Sequence, residues 1–192
     1  LLGKVIILNG APNSGKDVTA QRIVHQSDIA NISAYHCEMK DKLHEIASAM
    51  VTCSTSEYFD IYNNRDLKEL PHPAFHGMSP RNFMIWISEE VCKPMFGQDY
   101  FGKCAASQLD DESLFVFSDG GFSSEIIPMI DKVGAGNIHI IRFTRNGATF
   151  KGDSRDFIKE DDLPEGVNFH DMTNDGELDD FVMDILKAVK ES

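Results

Sequence analysis

The stretch from Lys4 to Asp17, KVIILNGAPNSGKD, constrains the fold of this chain more than any other. A short apolar run enters a glycine-bounded turn, in which Gly10 is separated by four residues from Gly15 and Lys16. An apolar run this short, ended by a glycine loop, reads as a buried parallel strand over Lys4–Asn9. A helical pattern then runs from Gly15 to about Gln26 and offers Val18, Ile23 and Val24 to a sheet. In a strand–loop–helix unit of this spacing, the loop N–H groups and the helix N-terminus converge on one concavity, a natural seat for phosphate. One position departs from the usual pattern. The lysine of such loops is normally followed by Ser or Thr, and here it is followed by Asp17.

The rest of the chain alternates strands with helices. A short strand fits ISAYH, and a helix through Lys40–Met50 places Leu43, Ile46, Ala47 and Met50 on one face. The pattern loosens from Thr52 to Gly77, where PHPAFHG has loop chemistry. Ser79-Pro80 opens a helix as N-cap and first-turn proline, with Met84, Ile87 and Val91 as its apolar stripe. Asp99 starts a helix through Leu109, SLFVFS is a strand ending at Asp119-Gly120-Gly121, and Ser123–Lys132 is a helix. NIHIIRF is the next strand, RFTRNGATFKGDSRDF reads as a mobile basic loop, VNFHDM is a last strand, and Gly176–Lys190 is a last amphipathic helix. Strands alternating with helices predict an α/β fold, a parallel sheet covered by helices on both faces.

A chain of 192 residues suits one sizeable core. It carries no apolar run long enough to span a membrane. The opening LLGKVIILNG lacks signal-peptide patterning and reads as core strand. The four cysteines, Cys37, Cys53, Cys92 and Cys104, lack CxxC spacing and read as buried thiols of a reducing cytoplasm. A formal charge of −13 argues against a generic nucleic-acid binder, but residues 160–192 hold 11 acids and 2 bases, a net of −9, which leaves the first 159 residues at only −4. Most of the acidity therefore belongs to a solvated C-terminal face and leaves room for a less acidic working surface.

The loop also carries a resemblance. SGKD followed by a small polar stretch is similar to the loop variant of phage deoxynucleoside monophosphate kinases and their P-loop relatives. The likeness continues through SPRNFMIWISEEVCKPMFGQDYFGK, FVFSDGGF and TNDGELDDFVMDIL, nearly the whole chain. Within that group the chain most resembles the 5-hydroxymethyluracil DNA kinases, on HPAF-G-SPR, DYFGK, SD-GF and GDSR. The resemblance implies a single P-loop kinase domain over 1–192, with an acceptor-side insertion at 52–78 and a lid-like loop at 144–157. It implies ATP and Mg2+ as cofactors, a host-cytoplasmic location if the chain is phage-encoded, no membrane partner, and room for a homodimer.

Carried onto this chain, the resemblance has Gly10, Asn13, Ser14, Gly15, Lys16, Asp17 and Val18 around the ATP phosphates. Asp17 would hold magnesium or assist the acceptor proton, and both roles stay open. Asp119 ends its strand on the edge where the glycine loop sits, since parallel strands bring their C-termini together. It fits magnesium positioning, proton acceptance, or a plain turn before Gly-Gly. Arg81 could meet the acceptor or the γ-phosphate, or form a surface ion pair. Arg145, Lys151 and Arg155 would be transition-state cations of a lid, with solvated loop charges as the alternative. Glu38, Lys40, Arg65, Arg81 and Trp86 are the acceptor-side candidates.

The acceptor itself is read around Asp119. In the monophosphate kinases that the chain resembles, an Arg stands two residues after the strand-end aspartate, and here Gly121 does. Losing one phosphate clamp favours a neutral hydroxyl, such as the hydroxymethyl group of a modified base. A base acceptor must leave the DNA stack, and Tyr58, Phe75, Phe83 or Trp86 could receive it. Lys40, Lys42, Arg65, Lys68, Lys93 and Lys103 are candidate backbone contacts. Two alternatives remain: a deoxynucleoside monophosphate kinase, and a nucleotide-binding regulatory module without transfer activity.

Overall fold

The computed structural model describes residues 1–152 and 156–192. In chain order the elements are β1 (Val5–Asn9), α1 (Lys16–Ile29), β2 (Ala34–Cys37), α2 (Asp41–Met50), α3 (Thr55–Asn63) and α4 (Pro80–Trp86). A π-helical segment (Ile87–Cys92) leads to α5 (Lys93–Phe96) and α6 (Tyr100–Ala106). Then come β3 (Leu114–Phe117), α7 (Ser123–Val133), β4 (Ile138–Thr144), β5 (Asn168–Thr173) and α8 (Leu178–Glu191). The chain divides into two compact units, one of residues 1–39 with 102–192 and one of residues 40–101.

The first unit is a five-stranded sheet in the order β2-β3-β1-β4-β5, and every strand pair is parallel. Strand alternation sorts the apolar residues onto two faces. Val5, Ile7, Phe115, Phe117, Ile138 and Ile140 pack with Ile126 and Met129 of α7. Ile6, Leu8, Leu114, Val116, Ile141 and Phe143 pack with Ala20 and Ile23 of α1 and with Val182 and Ile185 of α8. Both faces are thus covered, as parallel sheets require, and the α/β expectation holds.

Some local expectations change. Helix α1 turns Thr19, Ala20, Ile23 and Ser27 inward, whereas Val18 is 55% exposed and does not face the sheet. The four cysteines are free thiols as expected, but Cys92 alone among them is buried, the others being partly exposed. The acidic C-terminal helix α8 does present Asp179, Asp180 and Asp184 to solvent while burying Phe181, Val182, Ile185 and Val189.

The second unit is helical around Tyr58, Phe75, Phe83 and Ile87, all fully buried. Its α3 lies inside the stretch where the sequence pattern loosens, capped by the Ser54 side chain, which accepts from the Glu57 N–H at 3.2 Å. Ser79 caps α4 as expected, accepting from Asn82 N–H at 3.3 Å. The π-helical segment then shifts the register, so that Cys92 is buried and Val91 only half-buried. Within this core the Tyr58 hydroxyl lies 2.7 Å from Nδ1 of His44 and donates to Sδ of Met84 at 3.1 Å.

Candidate phosphate-binding site

The loop between β1 and α1 has the geometry its glycines imply. Gly15 caps α1 at φ 98°, ψ 18°, a left-handed conformation that disfavours any side chain. A methyl built on Gly10 would lie 2.9 Å from both the Phe143 carbonyl oxygen and Ser14 Oγ, so that position admits glycine alone. Asn13 also holds a positive φ, 62°. Ser14 is fully buried, and its Oγ has no hydrogen-bond partner among the described residues. A buried hydroxyl left unpaired is costly, and a phosphate oxygen in the loop would satisfy it. Nζ of Lys16 donates to the carbonyls of Gly10 at 2.7 Å and Ala11 at 2.9 Å. The ammonium is thereby folded over the loop's own concavity, where an anion would compete for it.

Side chains far along the sequence brace this loop. Nδ2 of Asn174, just after β5, donates to the Ser14 carbonyl at 2.9 Å. Asn9, buried at the end of β1, accepts from the Ile158 N–H at 2.9 Å and donates to the carbonyls of Gly120 and Asp156 at 3.3 Å each. Arg145, beyond β4, reaches the same place: the methyl a substitution would put on Gly15 would be 3.2 Å from Nη1 of Arg145. Neither asparagine figured among the candidate residues. Their partners are too distant in sequence for spacing to reveal them.

Asp119 accepts from the Met39 backbone N–H through Oδ1 at 2.6 Å, which fixes the segment leaving β2 against the end of β3. Asp17, one of the two expected magnesium candidates, keeps company with His36 and Glu38: one donor atom from each of these three lies within 4.8 Å of the others. Nε2 of His36 lies 2.8 Å from the hydroxyl of buried Ser118. Glu38 was expected on the acceptor side and His36 was not singled out. The Asp17 carboxylate, in the first turn of α1 beside Lys16, is an oxygen donor that suits a magnesium ion travelling with a phosphate chain.

The remaining candidates belong to the second unit. Arg81 forms an ion pair with Glu69 through Nε at 2.6 Å, both side chains about half-exposed. Such pairs contribute at most about 1 kcal/mol and yield to a better anion. Arg65 is exposed, and Lys40 stands at the N-cap of α2. Trp86 is 36% exposed and stacks on Phe83 with ring centroids 5.9 Å apart. Tyr58, Phe75 and Phe83 are fully buried, so stacking a base on them would require unpacking the unit's core. Lys42 pairs with Glu45, Lys93 pairs with Glu89, and Lys68 lies 4.0 Å from the Tyr62 ring centre. Arg155 lies outside the described residues.

Solved structures share this architecture. The chain is similar to an APS kinase of Mycobacterium tuberculosis, solved in complex with AMPPNP and APS, at 12% identity and a TM-score of 0.53, with 100% of this chain and 99% of that chain covered. It is also similar to a gluconokinase of Sinorhizobium meliloti 1021, at 10% identity and a TM-score of 0.50, covering 99% and 93% of the two chains. No family model matches the chain, and no curated protein matches it. The shared architecture is the P-loop NTPase fold, an α/β fold that hosts many activities.

Proposed function

We propose that this chain is an ATP-dependent phosphotransferase that passes the γ-phosphate to the hydroxymethyl group of 5-hydroxymethyluracil in DNA. The donor half rests on one observation above the others: the buried, unpaired Ser14 hydroxyl in a loop closed by Gly10 and Gly15 and overhung by Lys16. A neighbour of the same fold seen with an ATP analogue supports a nucleoside triphosphate in that loop. The acceptor half rests on the resemblance and on Gly121, which leaves room beside Asp119 in place of a phosphate-clamping arginine.

The chemistry asks little covalent work of the protein. The acceptor oxygen bonds to the γ-phosphorus, the bond from that phosphorus to the β–γ bridging oxygen breaks, and ADP departs with the electron pair. Lys16 and the loop N–H groups hold the phosphates in line, and Arg145 and Lys151 add positive charge as it develops. Asp119, fixed by Met39, takes the hydroxyl proton. A divalent ion, when bound, would neutralise phosphate charge, and Asp17 is the residue that would hold it. Of the four aromatic candidates only Trp86 is exposed enough to receive an extruded base, and Arg65, Arg81 and Lys40 are the acceptor-side cations that the resemblance implies.

A second reading, deoxynucleoside monophosphate kinase, is favoured by the net charge of −13, which repels a DNA backbone more than a free nucleotide. Labelled γ-phosphate of ATP, offered with hydroxymethyluracil-containing DNA and with a panel of deoxynucleoside monophosphates, separates the two. Label in DNA supports the first reading, and label confined to diphosphates replaces it with the second. ATP binding without transfer to any acceptor would leave only a regulatory nucleotide-binding module.

A further inference from the structure

Asp17, His36 and Glu38 come from two separate segments, yet one donor atom of each lies within 4.8 Å of the others. His36 lies in β2 and Glu38 in the segment that immediately follows the strand. Asp17 meets them from the first turn of α1, directly after Lys16. We propose that these three residues form a divalent-cation site belonging to the protein itself, filled without nucleotide and selective for Mn2+-like ions over Mg2+.

Three features carry this. The first is the donor set. An imidazole with two carboxylates is a mixed nitrogen–oxygen site, and nitrogen donors suit transition ions, whereas Mg2+ prefers oxygen alone and retains most of its water. The second is support behind the imidazole. One ring nitrogen of His36 is bonded to the Ser118 hydroxyl at 2.8 Å, and Ser118 is fully buried, with its own N–H donating to the Cys37 carbonyl at 3.2 Å. A hydrogen bond of this kind orients the ring beside the two carboxylates. The third is mobility where it is needed. Donors on one face of an ion about 2.1 Å away sit about 3 Å apart. Exposed Asp17 can close that gap by side-chain rotation.

The position gives the ion a task. Asp17 occupies the place where a hydroxyl ligand usually stands, so an ion held here lies beside Lys16 at the phosphate loop rather than arriving only with the nucleotide. That task rests on the phosphotransferase reading, but binding of the ion does not.

Electron paramagnetic resonance of the nucleotide-free full chain titrated with Mn2+ in excess Mg2+ tests the site. The expected result is one Mn2+ retained per chain, with hyperfine coupling to a histidine nitrogen. H36Q should lose the coupling and weaken Mn2+ binding by about tenfold or more. E38Q should weaken binding while keeping the coupling, which covers the case in which H36Q fails to fold. Failure to retain Mn2+, retention without nitrogen coupling, or coupling unchanged in H36Q would each overturn the proposal. A chain that holds Mn2+ through nitrogen but transfers no phosphate keeps this site and loses the kinase reading. Phosphate transfer without the coupling does the reverse.

Discussion

Asn174 donates a hydrogen bond to the backbone carbonyl of Ser14 at 2.9 Å, so the turn that follows the last strand holds the phosphate loop in shape. Both residues are buried, with Asn174 7% exposed and Ser14 fully enclosed. Truncation in N174A leaves a buried carbonyl unpaired and should cost about 1–3 kcal/mol of stability. Because the lost partner is a loop atom, ATP affinity should fall as well. Thermal unfolding and equilibrium nucleotide binding report the two effects, and a variant with normal ATP affinity would show that the loop keeps its shape unaided.

Lys16 is the point charge of the loop, and its present partners are the carbonyls of Gly10 and Ala11. K16A should retain the fold, because the lost bonds are replaceable by water at a partly exposed site. Turnover should drop about a hundredfold or more, the scale on which a single transition-state donor acts. Circular dichroism with a steady-state assay checks both halves. Normal turnover would mean that the loop is not the donor site.

Asp119 performs two separable tasks, anchoring Met39 and supplying negative charge at the strand end. D119N keeps an oxygen to accept from the Met39 N–H while removing the charge and turning the second oxygen into an N–H donor. Its kcat should fall while its KM for ATP stays near that of the parent. D119A loses the anchor too, and should also lower the melting temperature. An unchanged kcat in D119N would remove Asp119 from the chemistry.

The architecture was largely legible because its signals are local. The apolar runs that became β1, β3 and β4 are short and bounded by glycine or polar turns, and the glycine spacing at Gly10 and Gly15 admits few backbones. Helix α3 carried a signal too, since Ser54 followed by Glu57 is a capping pattern. With only Tyr58 and Ile61 buried, its apolar stripe was too thin to stand out. The π-helical register at Ile87–Cys92 has no sequence mark, and Met84, Ile87 and Val91 read as an ordinary α stripe. At the site, the loop was readable, but Asn9, Asn174 and the grouping of His36 with Asp17 arise from tertiary placement alone.

Two buried histidines make stability depend on pH. Burial, reinforced by Lys4 and His170, lowers the His139 pKa to about 3, and burial with Lys40 and Lys68 lowers that of His44 to about 4. Above about pH 6.5 both rings are neutral in the folded and unfolded chain alike. Below it the unfolded chain takes up protons that the folded chain refuses, so stability falls as the pH drops from about 6.5 towards those lowered values. Denaturant midpoints should therefore decline steadily from neutral pH to about pH 5, and H139Q should flatten part of the decline. A midpoint independent of pH over that range would contradict the burial of both rings.

Phosphorus NMR of the chain with ATP, a divalent metal ion and hydroxymethyluracil-containing DNA reads the transfer directly. The γ-phosphate resonance of ATP should give way to a phosphomonoester resonance on the DNA, with one ADP formed for each. ADP accompanied only by inorganic phosphate, or an unchanged ATP spectrum, would contradict it.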